Sequence, residues 1–422
     1  MVRATELVLV INCGSSSLKF SVIPAQGGKP VLSGLAECLG LADARLVVKS
    51  AATNTATSLD GGAHAAALAA ILDTLRAQHL LDQIAAVGHR VVHGGERFTD
   101  SVLLTPQVLA DIEAVSALAP LHNPANVLGI RACLQGLPMV PQIAVFDTAF
   151  HQTMKPAAFS YAIPQRLYRE HGVRRYGFHG TSHRFVAQRA IAVLRLDPRD
   201  HGIVIAHLGN GASATAVRNG ESVDTTMGMT PLEGLVMGTR SGDIDFGAVA
   251  YLARTTDLAL EDIDAMLNRQ SGLLGLSELS SDCRTLEQAA KAGHAGATLA
   301  LDVFVHRLAR HIGGLVASLH RFDALIFTGG IGENSALIRA RTIESLGVFG
   351  LTLNQDANLR TVGGCFGRIS RSRRPTAVVI PTDEEGLICS DAAAVAGLPT
   401  TSEASAFLDL QTAGTPAPAT CA

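Results

Sequence analysis

A short apolar run that stops abruptly in glycine, serine or asparagine occurs three times, as LVLVINCGSSS (7–17), GIVIAHLGNGAS (202–213) and ALIFTGGIGENS (324–335). Runs this short, rich in Val, Ile and Leu and without polar alternation, read as buried strands. The small and polar residues that follow supply backbone freedom and hydrogen-bond donors where each strand ends. Recurrence of the unit about 200 residues apart implies two similar lobes facing one another. Stretches with apolar residues at helical spacing lie between them, at 63–79, 182–196 and 297–319. Strands alternating with such helices make an α/β protein, in which ligands sit where strand ends meet loops.

Length and charge narrow the function classes. A chain of 422 residues exceeds one ordinary core, so two or three domains are expected. With 47% hydrophobic residues, 17% charged and 41 glycines, it reads as a well-packed protein with many tight turns. A net charge of −3, with RISRSRR (368–374) the one short basic run and read as a solvated loop, gives no footprint for nucleic acid. Cysteines at 13, 38, 133, 283, 365, 389 and 421 include no CxxC pair, which argues against a disulfide framework or a zinc knuckle and fits a reducing cytosol. No apolar run approaches the roughly 20 residues of a membrane span or makes a signal-peptide core, so a cytoplasmic location and no membrane partner are expected. The Ala/Thr/Ser/Pro-rich end, 399–422, is expected to be a disordered tail, and AATNTATSLDGG (51–62) a loop of similar kind.

The strand ends carry the chemistry. NCGSSSLK (12–19) is either a tight turn whose serines cap backbone or a site at which Asn12, Ser15, Ser16, Ser17 and Lys19 bring donors and a cation to a phosphate. Asn12 also suits magnesium through water. The turn His207-Leu208-Gly209-Asn210-Gly211 lets main-chain amides approach an anion, and Gly329 to Asn334 offers a flat glycine surface for adenine or ribose. Arg90, at the end of a strand in GHRVVHGGE, and Arg240, in GLVMGTRSGDIDFG, bring planar forks that grip carboxylate or phosphate oxygens in pairs. Singly, each is equally a solvated surface arginine. In YGFHGTSH, Thr181 or Ser182 is expected to cap the following helix. That leaves His179 in the loop as a donor to an anion and His183 as a structural histidine. A zinc site on the two histidines lacks the glutamate of HExxH and a third ligand. Asp147, directly after the run QIAVF, is either a cap or a group that handles magnesium or substrate. VVIPTDEEGLICSDAAAVAG (378–397) reads strand, cap, helix, with Asp383 and Glu384 in the first turn.

Taken together, NCGSSSLKF, HRVVHGGE, FDTAFH, RYGFHGTSH, HLGNGAS, MTPLEGLVMGTRSGD, GGIGEN and PTDEEG stand in the order seen in the acetokinase family, and the resemblance runs from about residue 7 to 397. It implies two ribonuclease-H-like lobes of the actin-like ATPase superfamily, with the active site in the interlobe cleft. An N-terminal lobe, 1–150, would be completed by a returning helix, 384–398, and 151–383 would form the nucleotide-binding lobe. Residue by residue, the resemblance assigns Mg2+ (or Mn2+) to Asn12 and Glu384 and a nucleotide phosphate to Lys19. Arg90 would hold the acid, and Val92, Leu121, Phe178 and Pro231 its methyl group. ATP or ADP would lie against His207, Leu208, Gly209, Asn210 and Gly211, against Asp282, Cys283 and Arg284, and against Gly330, Ile331, Gly332, Glu333 and Asn334. His179 and Arg240 would stabilise the transition state, with Asp147 as the acidic catalytic residue. Members of that family more often carry Phe where Cys283 stands. A homodimer is implied as well.

The implied reaction is transfer of the ATP γ-phosphoryl group to acetate. Acetate is already an anion near neutral pH, so its oxygen attacks without a general base, and alignment plus charge neutralisation carry the catalysis. That chemistry favours Asp147 as a group that orients magnesium-bound water or holds Arg90. A propionate or other short-chain acyl kinase differs by only about 1–3 kcal/mol per methylene in the pocket. A chaperone-like or filament-forming ATPase is the more distant alternative, and it would leave the acid-holding arginines without a purpose.

Overall fold

The computed structural model describes residues 6–50, 54–59 and 62–400. The chain divides into two compact units. One contains the described residues up to Ala149 together with those from Asp383 onward, and the other is Phe150–Thr382.

The first unit is built on an eight-stranded sheet of β1 (Leu7–Cys13), β2 (Leu18–Pro24), β3 (Leu32–Glu37), β4 (Arg45–Ser50), β5 (Asn54–Ser58), β6 (Ile84–Val91), β7 (Val102–Leu103) and β8 (Gln142–Phe146). Their spatial order is β5-β4-β3-β2-β1-β6-β8-β7. β1 pairs antiparallel with β2 and parallel with β6, and β6 pairs parallel with β8. Both faces are covered, which is why the central strands read as continuous apolar runs. Leu9 and Ile11 on one face pack with the helix His64–Ala77, through Leu68, Ile71 and Leu75. Val8 and Val10 on the other meet the helix Glu384–Val395, through Ile388, Ala392 and Ala393. That helix sits so close to β6 that a Cβ on Gly88 would lie 2.7 Å from Ile388 Cγ2.

The second unit repeats the plan. Its sheet comprises β9 (Gly202–Leu208), β10 (Ala212–Arg218), β11 (Glu221–Thr225), β12 (Ala324–Thr328), β13 (Gly367–Arg368) and β14 (Thr376–Val379), in the order β11-β10-β9-β12-β14-β13. β9 pairs antiparallel with β10 and parallel with β12, and β12 parallel with β14. The series β3-β2-β1-β6-β8 therefore matches β11-β10-β9-β12-β14 in order and direction, as the recurring sequence units anticipate. The helix Gly180–Leu194 packs Val186, Ala187 and Ala190 on one face of this sheet.

Several local readings change. Residues 54–58 form the exposed edge strand β5 and not a loop, since every backbone position pairs in register with β4. The rest of that stretch, 51–53 and 60–61, and the tail beyond 400 lie outside the described residues. The helix after YGFHG begins at Gly180, and its cap is His179 in the left-handed region (φ 56°) instead of Thr181 or Ser182, both of which are buried in the first turn. GGIGEN is a short helix, Gly329–Asn334, and not a flat turn. RISRSRR is only partly a solvated loop, because Arg368 belongs to β13 and Ile369 and Ser370 are buried. No helix among the described residues is long and apolar enough to cross a membrane.

Candidate active site

In the first unit the strand ends deliver three of the expected residues to one locality. Asn12 stands near the end of β1, Arg90 near the end of the adjacent β6, and Asp147 directly after β8, so the parallel register aligns them. Asp147, almost fully buried, takes the Arg90 fork from two sides. Nη2 donates to Oδ2 at 2.6 Å, and Nε reaches Oδ1 and Oδ2 at 3.0 and 3.1 Å. Arg90 Nη1 is directed toward Asn12 Oδ1 at 3.5 Å. Burial opposes the guanidinium charge, but the Asp147 carboxylate outweighs it, with help from Glu384, and holds Arg90 firmly protonated. Glu384 opens the helix Glu384–Val395, whose cap Asp383 accepts a hydrogen bond from the Gly386 amide at 2.9 Å.

Lys19 does something the sequence does not suggest. Its ammonium pairs with Glu385 at 2.6 Å, and the Ser21 hydroxyl donates to the same carboxylate at 2.5 Å. Both contacts pin the start of the returning helix to β2, while the Lys19 side chain stays 57% exposed and keeps N–H donors beyond the one that Glu385 takes. Ser15 and Ser16 are exposed in the β1–β2 turn, which the Gly14 amide closes by donating to the Ser17 carbonyl at 2.8 Å. Of the residues expected to hold the acid's methyl group, Val92 is held through its amide by Asn126 Oδ1 at 3.0 Å. Leu121 is 45% exposed and precedes the helix Asn123–Gly136 that carries Asn126.

In the second unit the glycine turn of the β9–β10 hairpin lies beside the Arg240 and His179 side chains. Gly209 N donates to Gly211 O at 3.0 Å, closing the turn. The space a Cβ on Gly211 would occupy lies 3.2 Å from Arg240 Nη2 and 3.3 Å from His179 Nε2. An arginine and a histidine thus flank one small volume above a residue without a side chain. Arg240 is steadied by Nη1 donating to the Pro231 carbonyl at 2.7 Å, and burial lowers its pKa without bringing it near neutrality. His179 stacks on His207 at 4.4 Å between ring centroids, and its Nδ1 lies 2.9 Å from the Ser213 hydroxyl. His183 Nε2 approaches that same hydroxyl at 2.7 Å, so the two histidines of HGTSH share a serine. Replacing Gly211 with Ala is expected to lower turnover by roughly 10²-fold by crowding this volume. Its melting temperature should stay within a few degrees, because only the far ends of two side chains need to yield. Steady-state rates and a thermal melt on the same preparation check this.

The segments expected to lie against the nucleotide also meet. The helix Cys283–Lys291 is capped by Asp282, whose carboxylate accepts from the Arg284 amide at 2.8 Å. The Arg284 side chain, pairing with it, holds Asp282 down to about 2. Glu287 of this helix accepts from Ser335 at 2.5 Å, joining it to the end of Gly329–Asn334. Several residues expected to touch nucleotide turn their side chains elsewhere. Glu333 braces the backbone, accepting from Gly329 N at 3.0 Å and Thr382 N at 3.1 Å. Asn334 donates to Gly330 O and accepts from Gly363 N, both at 2.9 Å. Asn210 folds over Gly238, where a Cβ would lie 2.0 Å from its Oδ1. Cys283 is buried with its thiol toward Glu287, Leu208 is in the sheet core, and Phe178 is 1% exposed. For Leu208 and Cys283 only the main chain remains for a ligand. Gly330 and Ile331 keep partial or full exposure.

Residues that sequence reasoning passed over include Ser213, Gly238 and Arg339. Arg339 is fully buried, makes no salt bridge among the described residues, and donates to the carbonyls of Gly332, Glu333, Asn358 and Thr361. It thereby fixes the end of the GGIGEN helix. Nothing in its local sequence, SALIRART, distinguishes it from a surface arginine.

Two units with matching sheets are the architecture of the actin-like ATPases, and guanidinium with imidazole over a glycine turn is chemistry for a phosphoryl group; the protein is a phosphotransferase. The chain belongs to the acetokinase family, whose model matches residues 7–390. It is 56% identical over 386 residues to a propionate kinase from Yersinia enterocolitica, covering 91% of this chain and 94% of the relative. To an acetate kinase from Shewanella frigidimarina it is 52% identical over 390 residues, covering 92% and 98%. The crystal structure of Porphyromonas gingivalis acetate kinase superposes with a TM-score of 0.88 at 42% identity, covering 92% of this chain and 99% of that one. The acceptor of the transferred group is accordingly a carboxyl group.

Proposed function

We propose that the protein is an acetate kinase, transferring the γ-phosphoryl group of ATP reversibly to acetate to give acetyl phosphate and ADP by direct in-line attack. The observation that carries this reading is the Arg90 fork held by Asp147 at a strand end. A guanidinium has five N–H donors, and Asp147 engages one edge, so the remaining edge suits a second carboxylate, that of the substrate. The acid arrives ionised. Asp147 therefore has no proton to remove, and its part is to position Arg90. Arg240 and His179 hold the equatorial oxygens of the transferring group, whose charge grows as the bond to ADP loosens.

The residues fit a magnesium ion. Asn12 and Glu384 offer hard oxygen donors, and no group of three or more His, Cys, Asp or Glu among the described residues could hold a metal alone. Few protein ligands, completed by water and phosphate oxygens, is what magnesium prefers. When bound, it neutralises charge on the β and γ phosphates. A cytoplasmic enzyme suits the free cysteines. A homodimer is supported by Phe246, 75% exposed, and by Tyr251 and Leu260 on the neighbouring helices Phe246–Thr255 and Leu260–Arg269. Light scattering should give twice the mass of the chain, and a monomer at micromolar concentration would remove that part.

Propionate is the second acid to consider, because the Yersinia enterocolitica relative is a propionate kinase. Val92 and Leu121 supply bulk that favours the smaller acid, and one methylene is worth about 1–3 kcal/mol. A kcat/KM series over acetate, propionate and butyrate decides it. The highest value is expected for acetate, and a maximum at propionate would transfer the assignment.

A further inference from the structure

His179 stabilises a phosphoryl group only if it presents a donor to it. A neutral imidazole carries one proton, and on Nδ1 that proton would leave a lone pair on Nε2, facing the anion. The structure contains a device that settles this choice. The Ser213 hydroxyl, fully buried on β10, lies 2.9 Å from His179 Nδ1 and 2.7 Å from His183 Nε2. Among the described residues these two nitrogens are the hydroxyl's hydrogen-bond partners, so once one ring donates to a lone pair of the oxygen, its single proton is satisfied only by the other ring.

His183 determines the direction. It is completely buried, and its Nδ1 has no hydrogen-bond partner among the described residues. Burial, then His151 and His207, push it well below the usual imidazole range, so it is neutral and carries one proton. A proton on Nδ1 would strand a donor in the interior, which folded proteins avoid more strictly than a stranded acceptor. The proton therefore sits on Nε2 and is donated to Ser213 Oγ. Ser213 in turn donates to His179 Nδ1, and the proton of His179 is left on Nε2. That nitrogen is the one 3.3 Å from the volume above Gly211, with Arg240 Nη2 3.2 Å from the same point. The left-handed backbone of His179, uncommon outside glycine, fits a residue whose ring orientation is imposed by its partners.

We propose that Ser213, oriented by His183, is a positioning residue that locks His179 in the Nε2–H tautomer, so that the ring offers a hydrogen bond to the transferring phosphoryl group. This rests on the phosphotransferase reading above, but its first test does not need activity. Histidine-selective 15N NMR of the intact protein at pH 8, with the His179 signals assigned by their loss in His179→Asn, should show Nδ1 unprotonated and Nε2 protonated. In Ser213→Ala the two tautomers should mix. Turnover of that variant should fall about tenfold to a hundredfold at pH 8, less than the ~10⁴ of a catalytic triad left in the wrong tautomer, because Arg240 shares the load. Both KM values should stay within twofold, and Ser213→Thr, which keeps the hydroxyl, should recover to within threefold of the parent.

The groups of the second unit facing this relay are Arg240, His207 stacked on His179, and His151, 5.7 Å from His183 between ring centroids. A protonated His179 Nδ1 in the unsubstituted protein would overturn the proposal, even if Ser213→Ala failed to fold. So would an unaltered tautomer in the alanine variant. If the unsubstituted protein forms no acyl phosphate, it is the phosphotransferase reading that fails, and the tautomer result still stands or falls by the spectrum.

Discussion

Replacing Arg240 with Ala should lower kcat by a factor on the order of 10³, with little change in the KM for either substrate, because the lost interaction is strongest when charge accumulates on the phosphoryl oxygens. The structure says why this cation is hard to replace. Its Nη1 is anchored on the Pro231 carbonyl, so Nη2 is delivered to the volume above Gly211 with little freedom. Burial works against the charge, yet the guanidinium stays ionised because it starts so far above neutrality. Lysine would bring a charge but neither the anchor nor the planar fork, and Arg240→Lys should recover less than a tenth of the activity. Steady-state kinetics of both variants checks this, and an alanine enzyme within threefold of the parent would remove Arg240 from the mechanism.

The second large effect concerns Asp147. Asp147→Asn keeps the shape but removes the charge that holds the Arg90 fork, and breaking a buried pair typically costs about 3–5 kcal/mol because it strands the partner. The carboxylate-binding edge of Arg90 then loses its alignment. The KM for the acid should rise and kcat should fall, with kcat/KM reduced by roughly 10²- to 10³-fold. The pH profile discriminates between roles. A positioning carboxylate already ionised across the assay range leaves its shape unchanged in the variant. A new pH dependence with magnesium affinity intact would make Asp147 a proton carrier.

The sequence made the strand ends legible because each short apolar run gives way abruptly to polar residues or glycine, marking where the chain leaves the core. Asn12, Arg90, Asp147 and Gly211 could therefore be placed on strand termini before any coordinates. What stayed hidden depends on pairings distant in the chain. Nothing around Lys19 indicates that Glu385 will neutralise it, since helix 384–395 returns to β2 only in three dimensions. Glu333 and Asn334 look like ligand groups, but the short helix they form turns them toward its own backbone. The capping of the helix at Gly180 was misread for a related reason. Thr181 and Ser182 have good cap chemistry, but the left-handed His179 ends the preceding chain, and their hydroxyls are drawn inside, where Ser182 lies 2.8 Å from His207 Nδ1. β5 was masked by composition, because its Thr and Ala residues pair through backbone alone on an exposed edge.

The central claim is that a phosphoryl group passes directly from nucleotide to the oxygen of a small carboxylate. Incubating the protein with magnesium, ATP and acetate in the presence of hydroxylamine tests it most directly, because acyl phosphate is captured as the hydroxamate. Acetohydroxamate should accumulate in step with ADP and only when acetate is present. ADP formation with no hydroxamate from acetate, propionate or butyrate would contradict it.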